Sequence, residues 1–274
     1  MSGGVVEYAL RLGDDALIAA QRLGEWSARA PEMELDVALS NIALDQLGVA
    51  RLMLSYAAES LREATSERGT SEAEAKPYWL DGDEDSLAYL RDAHEFRNCL
   101  LVELPNAGPA ADFDAPGDFG VTMVKLLMLS AYQVPTYEWL ATAGPDRRLA
   151  EIAAKARKES AYHLDLASLW TVRLGDGTEE SHRRIQAAID DVWPYGHELF
   201  ESDEVVEAGL APDPVEIRSR WLEHVEAVLA TATRTRPADG WAPTGGRTGR
   251  HTEHLSRLLA EMQVLHRAHP GARW

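Results

Sequence analysis

The sequence predicts an all-α antiparallel four-helix bundle with additional helices flanking it. Three observations carry that expectation. Apolar residues recur at spacings of three, four and seven along nearly the whole chain. No stretch alternates apolar and polar residues, as a half-buried strand would, for more than a few positions. The long periodic segments are joined by short turns, as antiparallel neighbours require.

A first helix is expected from about Tyr8 to Ala28, with Leu10, Leu17, Ala20 and Leu23 on one face, broken at Ala30-Pro31. A second covers roughly Glu32 to Leu61 and carries Leu35, Leu39, Ile42, Val49, Met53 and Tyr56. Residues 63–82 are polar and interrupted by glycine and proline, so they read as a surface insertion. A third helix is expected from Asp83 to Pro105, and a loop over 106–118. The fourth runs from Phe119 to Thr142, with Pro135 predicting a kink. Gly144-Pro145-Asp146 stops it and caps a fifth that extends to about Leu174. A sixth carries Ile185, Ile189, Val192 and Leu199. Asp213-Pro214 opens a seventh, because proline fits the first helical position. Residues 236–250 form a glycine-rich loop, and an eighth helix covers Thr252 to His266, within a C-terminal helix and tail at 252–274. Helices one, two, four and five are the natural central four, in one domain spanning 1–274.

Composition narrows the function. The 274 residues carry 27 Lys and Arg against 45 Asp and Glu, a net charge of −18. That field disfavours nucleic acid and anionic lipid, which are bound mainly through cationic side chains. One cysteine, Cys99, permits neither an intramolecular disulfide nor a cysteine-based zinc site. The N-terminus lacks the features of a signal peptide, and no uninterrupted apolar run reaches the ~20 residues of a membrane span. A cytoplasmic location is expected.

A bundle core can house two metal ions, held by a Glu on each of two helices and Glu-x-x-His on each of the other two. Residues three apart share a helix face and can reach one ion. On the fifth helix the stripe Leu149, Ile152, Ala156, Glu159, His163, Leu166, Trp170 places an acid and a histidine among core positions. Three residues after Glu159, however, stands Tyr162. On the second helix Asp45 falls between Ile42 and Val49, and three residues on is Gly48, which has no ligand. Two readings remain: Asp45, Glu159 and His163 bind an ion, or Glu159 and His163 form a hydrogen-bonded pair and Asp45 caps or pairs with a neighbouring helix.

A second constellation is His251-Thr252-Glu253-His254 after the loop that holds Arg247 and Arg250. His-x-x-His with a glycine-rich loop before a helix is compatible with a metal or a phosphate. The favoured alternative is that Thr252 caps the helix, the glycines make the turn and the histidines pair with acids; its main rival is a partner or CoA contact through Arg247, Arg250, His251 and His254. Cys99 has no catalytic context, and Asp14-Asp15 favours the early turns of the first helix.

Several segments together resemble the C-type, ferritin-like component of the ring-1,2-phenylacetyl-CoA epoxidases (phenylacetate-CoA oxygenases). They are 8–59, 83–106, 155–181 and 245–274, with the fragments RLGEW (22–26), ARAPE (28–32), RLGDGT (173–178) and HTEHL (251–255) in order. The resemblance implies a ferritin-like fold and a structural, non-catalytic subunit of a multicomponent monooxygenase acting in phenylacetate catabolism. Di-iron is then expected in a partner catalytic subunit, with electrons from NADPH through a reductase, acyl-CoA met only indirectly, and no cofactor in this chain. Asp45-x-x-Gly48 and Glu159-x-x-Tyr162, with Ser130 on the fourth helix, match degraded ligand positions, and His163 is a possible remnant. A homodimer is compatible with this picture. The 63–82 insertion and residues 112–118 depart from the family pattern. Two alternatives stand beside it: a catalytically active di-iron oxygenase subunit, and a CoA- or phosphate-binding module using Arg247 and Arg250.

Overall fold

In a computed structural model, the described residues are 3–68, 79–80, 82–112 and 115–272. Two helical hairpins form the frame. α1 (Gly3–Gly24) packs along α2 (Met33–Arg68), and α5 (Phe119–Ala143) along α6 (Arg147–Gly175). Contact between α2 and α6 closes the bundle. Contacts from Arg148 to Glu59 at 3.7 Å and from His163 to Asp45 at 3.1 Å show that α2 and α6 run antiparallel. Around this frame lie α3 (Glu84–Tyr89), α4 (Leu100–Glu103), α7 (Glu179–Val192), α8 (Glu204–Glu207), α9 (Pro214–Thr231) and α10 (Glu253–Ala268). The described residues contain no strand.

The frame follows from local chemistry. Asp118, Asp146, Thr178, Asp213 and Thr252 each accept a backbone N–H at the start of their helix, satisfying donors that would otherwise be orphaned. Pro135 lies inside α5, which continues through it. Hairpin α1–α2 is tight because Gly13 faces Leu54: a Cβ there would sit 2.9 Å from a Leu54 methyl.

Three expectations need correction. α2 continues to Arg68, so the first residues of the expected insertion are helical. Most of the remainder of 63–82 lies outside the described residues. The third helix is not continuous: it breaks into α3, a single 3-10 turn at Ala93–Glu95, and α4. The reason is competition for its backbone donors. The N–H groups of Arg97, Cys99 and Leu100 donate to Asp14, Asp15 and Glu198 at 2.8, 2.7 and 2.6 Å. The sixth helix ends at Val192 and tightens into a 3-10 segment, Trp193–Phe200, at Pro194.

Residues 33–64 within α2 are long and apolar enough to cross a membrane by length and composition, although only 39% of that apolar window is buried in the fold. α2 packs as a bundle helix against α1 and α6.

Candidate functional site

The bundle centre holds a chain of polar side chains contributed by α2, α5 and α6. Gln46 and Gln133 face each other as a reciprocal amide pair, Nε2 to Oε1 at 3.0 Å and 3.2 Å. The second hydrogen of Gln46 Nε2 points to His163 Nδ1 at 3.4 Å, and Ser160 Oγ donates to Gln133 Oε1 at 3.4 Å. His163 Nε2 lies 3.1 Å from Asp45 Oδ2. One tautomer satisfies both contacts: Nδ1 accepts from the amide and Nε2–H donates to the carboxylate. Burial lowers the His163 pKa, against the opposing pull of Asp45 and Glu159, so the neutral ring suits its surroundings.

The sequence-derived candidates divide around this chain. Asp45 and His163 come together as described. Glu159 does not join His163; its Oε1 pairs with Lys155 at 2.7 Å and its buried Oε2 has no hydrogen-bond partner. The expected Glu159–His163 pair is therefore corrected to an Asp45–His163 pair. Glu159 lies one turn from His163 on α6 and is partly buried. Tyr162 is exposed, Ser130 is buried with an unpaired hydroxyl, and Gly48 opens onto empty space. The pairing of Gln46 with Gln133 is not foreseen by the sequence reading. A signal for it exists, because Gln46 continues the stripe Leu39, Ile42, Val49, Met53, and Gln133 the stripe Leu126, Tyr137, Leu140. Among the described residues no group of three or more His, Cys, Asp or Glu side chains is placed to hold a metal ion.

The second constellation is internal. Arg247 is bidentate to Asp15, at 2.9 and 2.8 Å, and also donates to the Arg97 carbonyl at 2.9 Å. Burial opposes its charge, but Asp15 outweighs it and holds the guanidinium pKa well above its usual value. His251 Nδ1 meets Glu103 at 2.9 Å, and its Nε2 faces the Phe96 carbonyl at 3.1 Å. His254 Nε2 lies 3.1 Å from the Pro109 carbonyl. Three of the four residues suggested for a partner or CoA contact are thus occupied within the chain, and Arg250 alone is exposed. Cys99 is buried, and burial and then Asp15 push its thiol pKa up.

These acids form a set that sequence reasoning does not assemble. Asp14 pairs with the buried Arg91, which also stacks 4.3 Å over the Phe96 ring. Glu198 accepts from Gly245 and Gly246 at 2.8 and 2.7 Å, and Glu103 from Thr252 N at 2.6 Å. Gly246 must be glycine because a Cβ would lie 2.3 Å from the Asn98 carbonyl. The carboxylates organise loop backbone.

A helical bundle with an amide–imidazole network at its centre and acid-pinned loops at its edge defines a ferritin-like scaffold. The chain belongs to the phenylacetic acid catabolic protein family, which it matches over residues 2–274. It is 43% identical over 271 residues to the C subunit of the 1,2-phenylacetyl-CoA epoxidase of Escherichia coli (strain K12), covering 97% of this chain and 98% of that protein.

Proposed function

We propose that this chain is a structural, non-catalytic subunit of a cytoplasmic multicomponent phenylacetyl-CoA epoxidase, supporting a separate di-iron catalytic subunit in aerobic phenylacetate catabolism. The name of its relative supports the complex, and the description of its family the pathway. One observation carries the non-catalytic role: the bundle centre is filled by Gln46, Gln133 and Ser160 around a single imidazole, His163, rather than by convergent carboxylates and imidazoles.

The residues present do not fit a di-metal centre. Such a site takes four carboxylates and two histidines from four helices. Here Gly48 and Tyr162 stand three residues after the acids, Asp45 is engaged by His163, and Glu159 by Lys155. No reaction step is assigned to this chain, and di-iron, reductase and NADPH belong to other subunits in this reading. Its contribution is mechanical: a rigid bundle that packs against the catalytic subunit and holds its helices in place.

Two measurements test the reading together. The purified chain is expected to contain no stoichiometric iron, and Glu159→Gln is expected to leave the turnover of the reconstituted complex within about twofold of wild type. Stoichiometric iron with carboxylate-bridged absorption, or lost turnover with normal assembly and melting, would overturn it.

A further inference from the structure

The chain has four lysines, Lys76, Lys125, Lys155 and Lys158, and among the described residues only Lys125 is buried. Lys125 stands on α5 at 7% exposure. Its Nζ donates to the Leu104 carbonyl and lies 3.5 Å from Asn106 Oδ1, and no carboxylate among the described residues pairs with it. A buried amine without an acid partner sheds its charge more readily than an exposed one. Burial and then Arg22 lower its pKa to about 7, against the pull of Glu25, so a large share is the free, nucleophilic amine at neutral pH.

This amine borders open space. Lys125, Thr122, Asn106 and Arg22 join apolar side chains of α1, α4 and α5 around a cavity of about 30 Å³. One water needs roughly 10–15 Å³, so the space admits a molecule of about three heavy atoms. A groove of about 770 Å³ shares Arg22 and Asn106 with this cavity and reaches the exposed Glu25, Arg29 and Arg257, giving small solutes a route from solvent.

Size and charge together select the reagent. Carbon dioxide is an uncharged electrophile of three atoms, and its adduct with an amine is an anion that a neighbouring guanidinium can hold. Larger carbonyl compounds exceed the cavity, and their imines gain nothing from a cation. Arg22 is 11% exposed against 38% for its partner Glu25, so the better buried of these two charges is the positive one. Its Nε and Nη2 donate to the Glu103 and His254 carbonyls and Nη1 to Glu25, which leaves a second Nη1 hydrogen for an added oxygen.

We infer that Lys125 is a carbamylation site, its Nζ adding to carbon dioxide to give an N-carboxylate held beside Arg22. The Nζ lone pair forms the N–C bond, one C=O electron pair moves onto oxygen, and an Nζ proton leaves to water. No oxidant or reductant takes part. The remaining N–H still serves the Leu104 carbonyl, and the new anion ties α5 to α1. This inference is independent of the subunit reading above.

The test equilibrates the full chain with carbon-labelled bicarbonate at about pH 7.5 and follows it by carbon NMR. The expected result is a carbamate resonance that Lys125→Met lacks and that urea removes from the wild type; a terminal-amine carbamate is common to all samples. Ethylation with a trialkyloxonium salt, then peptide mass spectrometry, is expected to place the added mass on Lys125, and needs no variant to fold. Arg22→Gln is expected to weaken the Lys125 signal by about fivefold or more. Absence of a Lys125-dependent resonance at saturating bicarbonate overturns the inference, as does added mass confined to Lys76, Lys155 and Lys158. An Arg22→Gln signal equal to that of wild type overturns the site as drawn, because the guanidinium then holds nothing.

Discussion

Gln46 and Gln133 illustrate how a single pair decides what a bundle centre can hold. Each amide donates to and accepts from the other, and Gln46 gives its remaining hydrogen to His163. Buried amides left without partners cost about 1–3 kcal/mol each, whereas removing both partners together is far cheaper. Gln133→Leu is therefore expected to destabilise the fold by about 1–3 kcal/mol, and Gln46→Leu/Gln133→Leu by less than the sum of the single changes. Urea denaturation of the double-mutant cycle checks this; strict additivity would mean that the pair is not coupled. Asp45, Gly48 and Tyr162 are legible in the sequence as positions that depart from a Glu-x-x-His pattern. The Gln46–Gln133 pair is not, because a glutamine on an apolar stripe announces polarity without naming its partner.

At the scale of elements, the 91–104 segment is where local pattern and tertiary demand collide. Leucine spacing alone predicts one helix from Asp83 to Pro105. The buried acids Asp14, Asp15 and Glu198 draw its N–H groups out of the helical ladder, and the chain breaks into two short helices. Asp15 serves two elements at once, accepting from Cys99 N and pairing with Arg247 of the C-terminal loop. Removing one member of a buried pair strands the other charge, at about 3–5 kcal/mol. Asp15→Ala is accordingly expected to lower stability by about 3–5 kcal/mol, in equilibrium denaturation. A loss below about 1 kcal/mol would show that Arg247 finds another acceptor. By contrast α6 and α9 start where their caps, Asp146 and Asp213, predict them.

For the molecule as a whole, two buried bases contribute to the pH dependence of folding. Burial lowers Lys125 to about 7, with Arg22 adding in the same direction and Glu25 opposing; its Nζ donates to the Leu104 carbonyl. Between about pH 7 and its ordinary value near 10.5 the unfolded chain binds more protons than the native one, so stability rises with pH across that window. Below it both states are protonated and the slope from this residue vanishes. His163, lowered by burial, acts with the same sign at lower pH: its contribution is full above about 6.5 and is lost as pH falls toward its folded value. Lys125→Met is expected to remove the gain in urea midpoint between about pH 7 and about pH 9.5 that Lys125 is expected to give the wild-type protein. An unchanged slope would place that dependence elsewhere.

Local chemistry in the sequence determined the helical class, the central pairs α1–α2 and α5–α6, most helix starts, and the two positions, Gly48 and Tyr162, that interrupt a Glu-x-x-His pattern. Each depends on residues within a turn or two of one another, which periodicity and capping expose directly. Only the tertiary structure decided that His163 joins Asp45 rather than Glu159, that Arg247 is internal, and that α2 leaves an apolar flank uncovered. Those outcomes depend on partners far apart in the chain, Asp15 and Arg247 being 232 residues apart and Asp45 and His163 118. No local pattern encodes which buried donor a given carboxylate will meet, because that choice is made by packing.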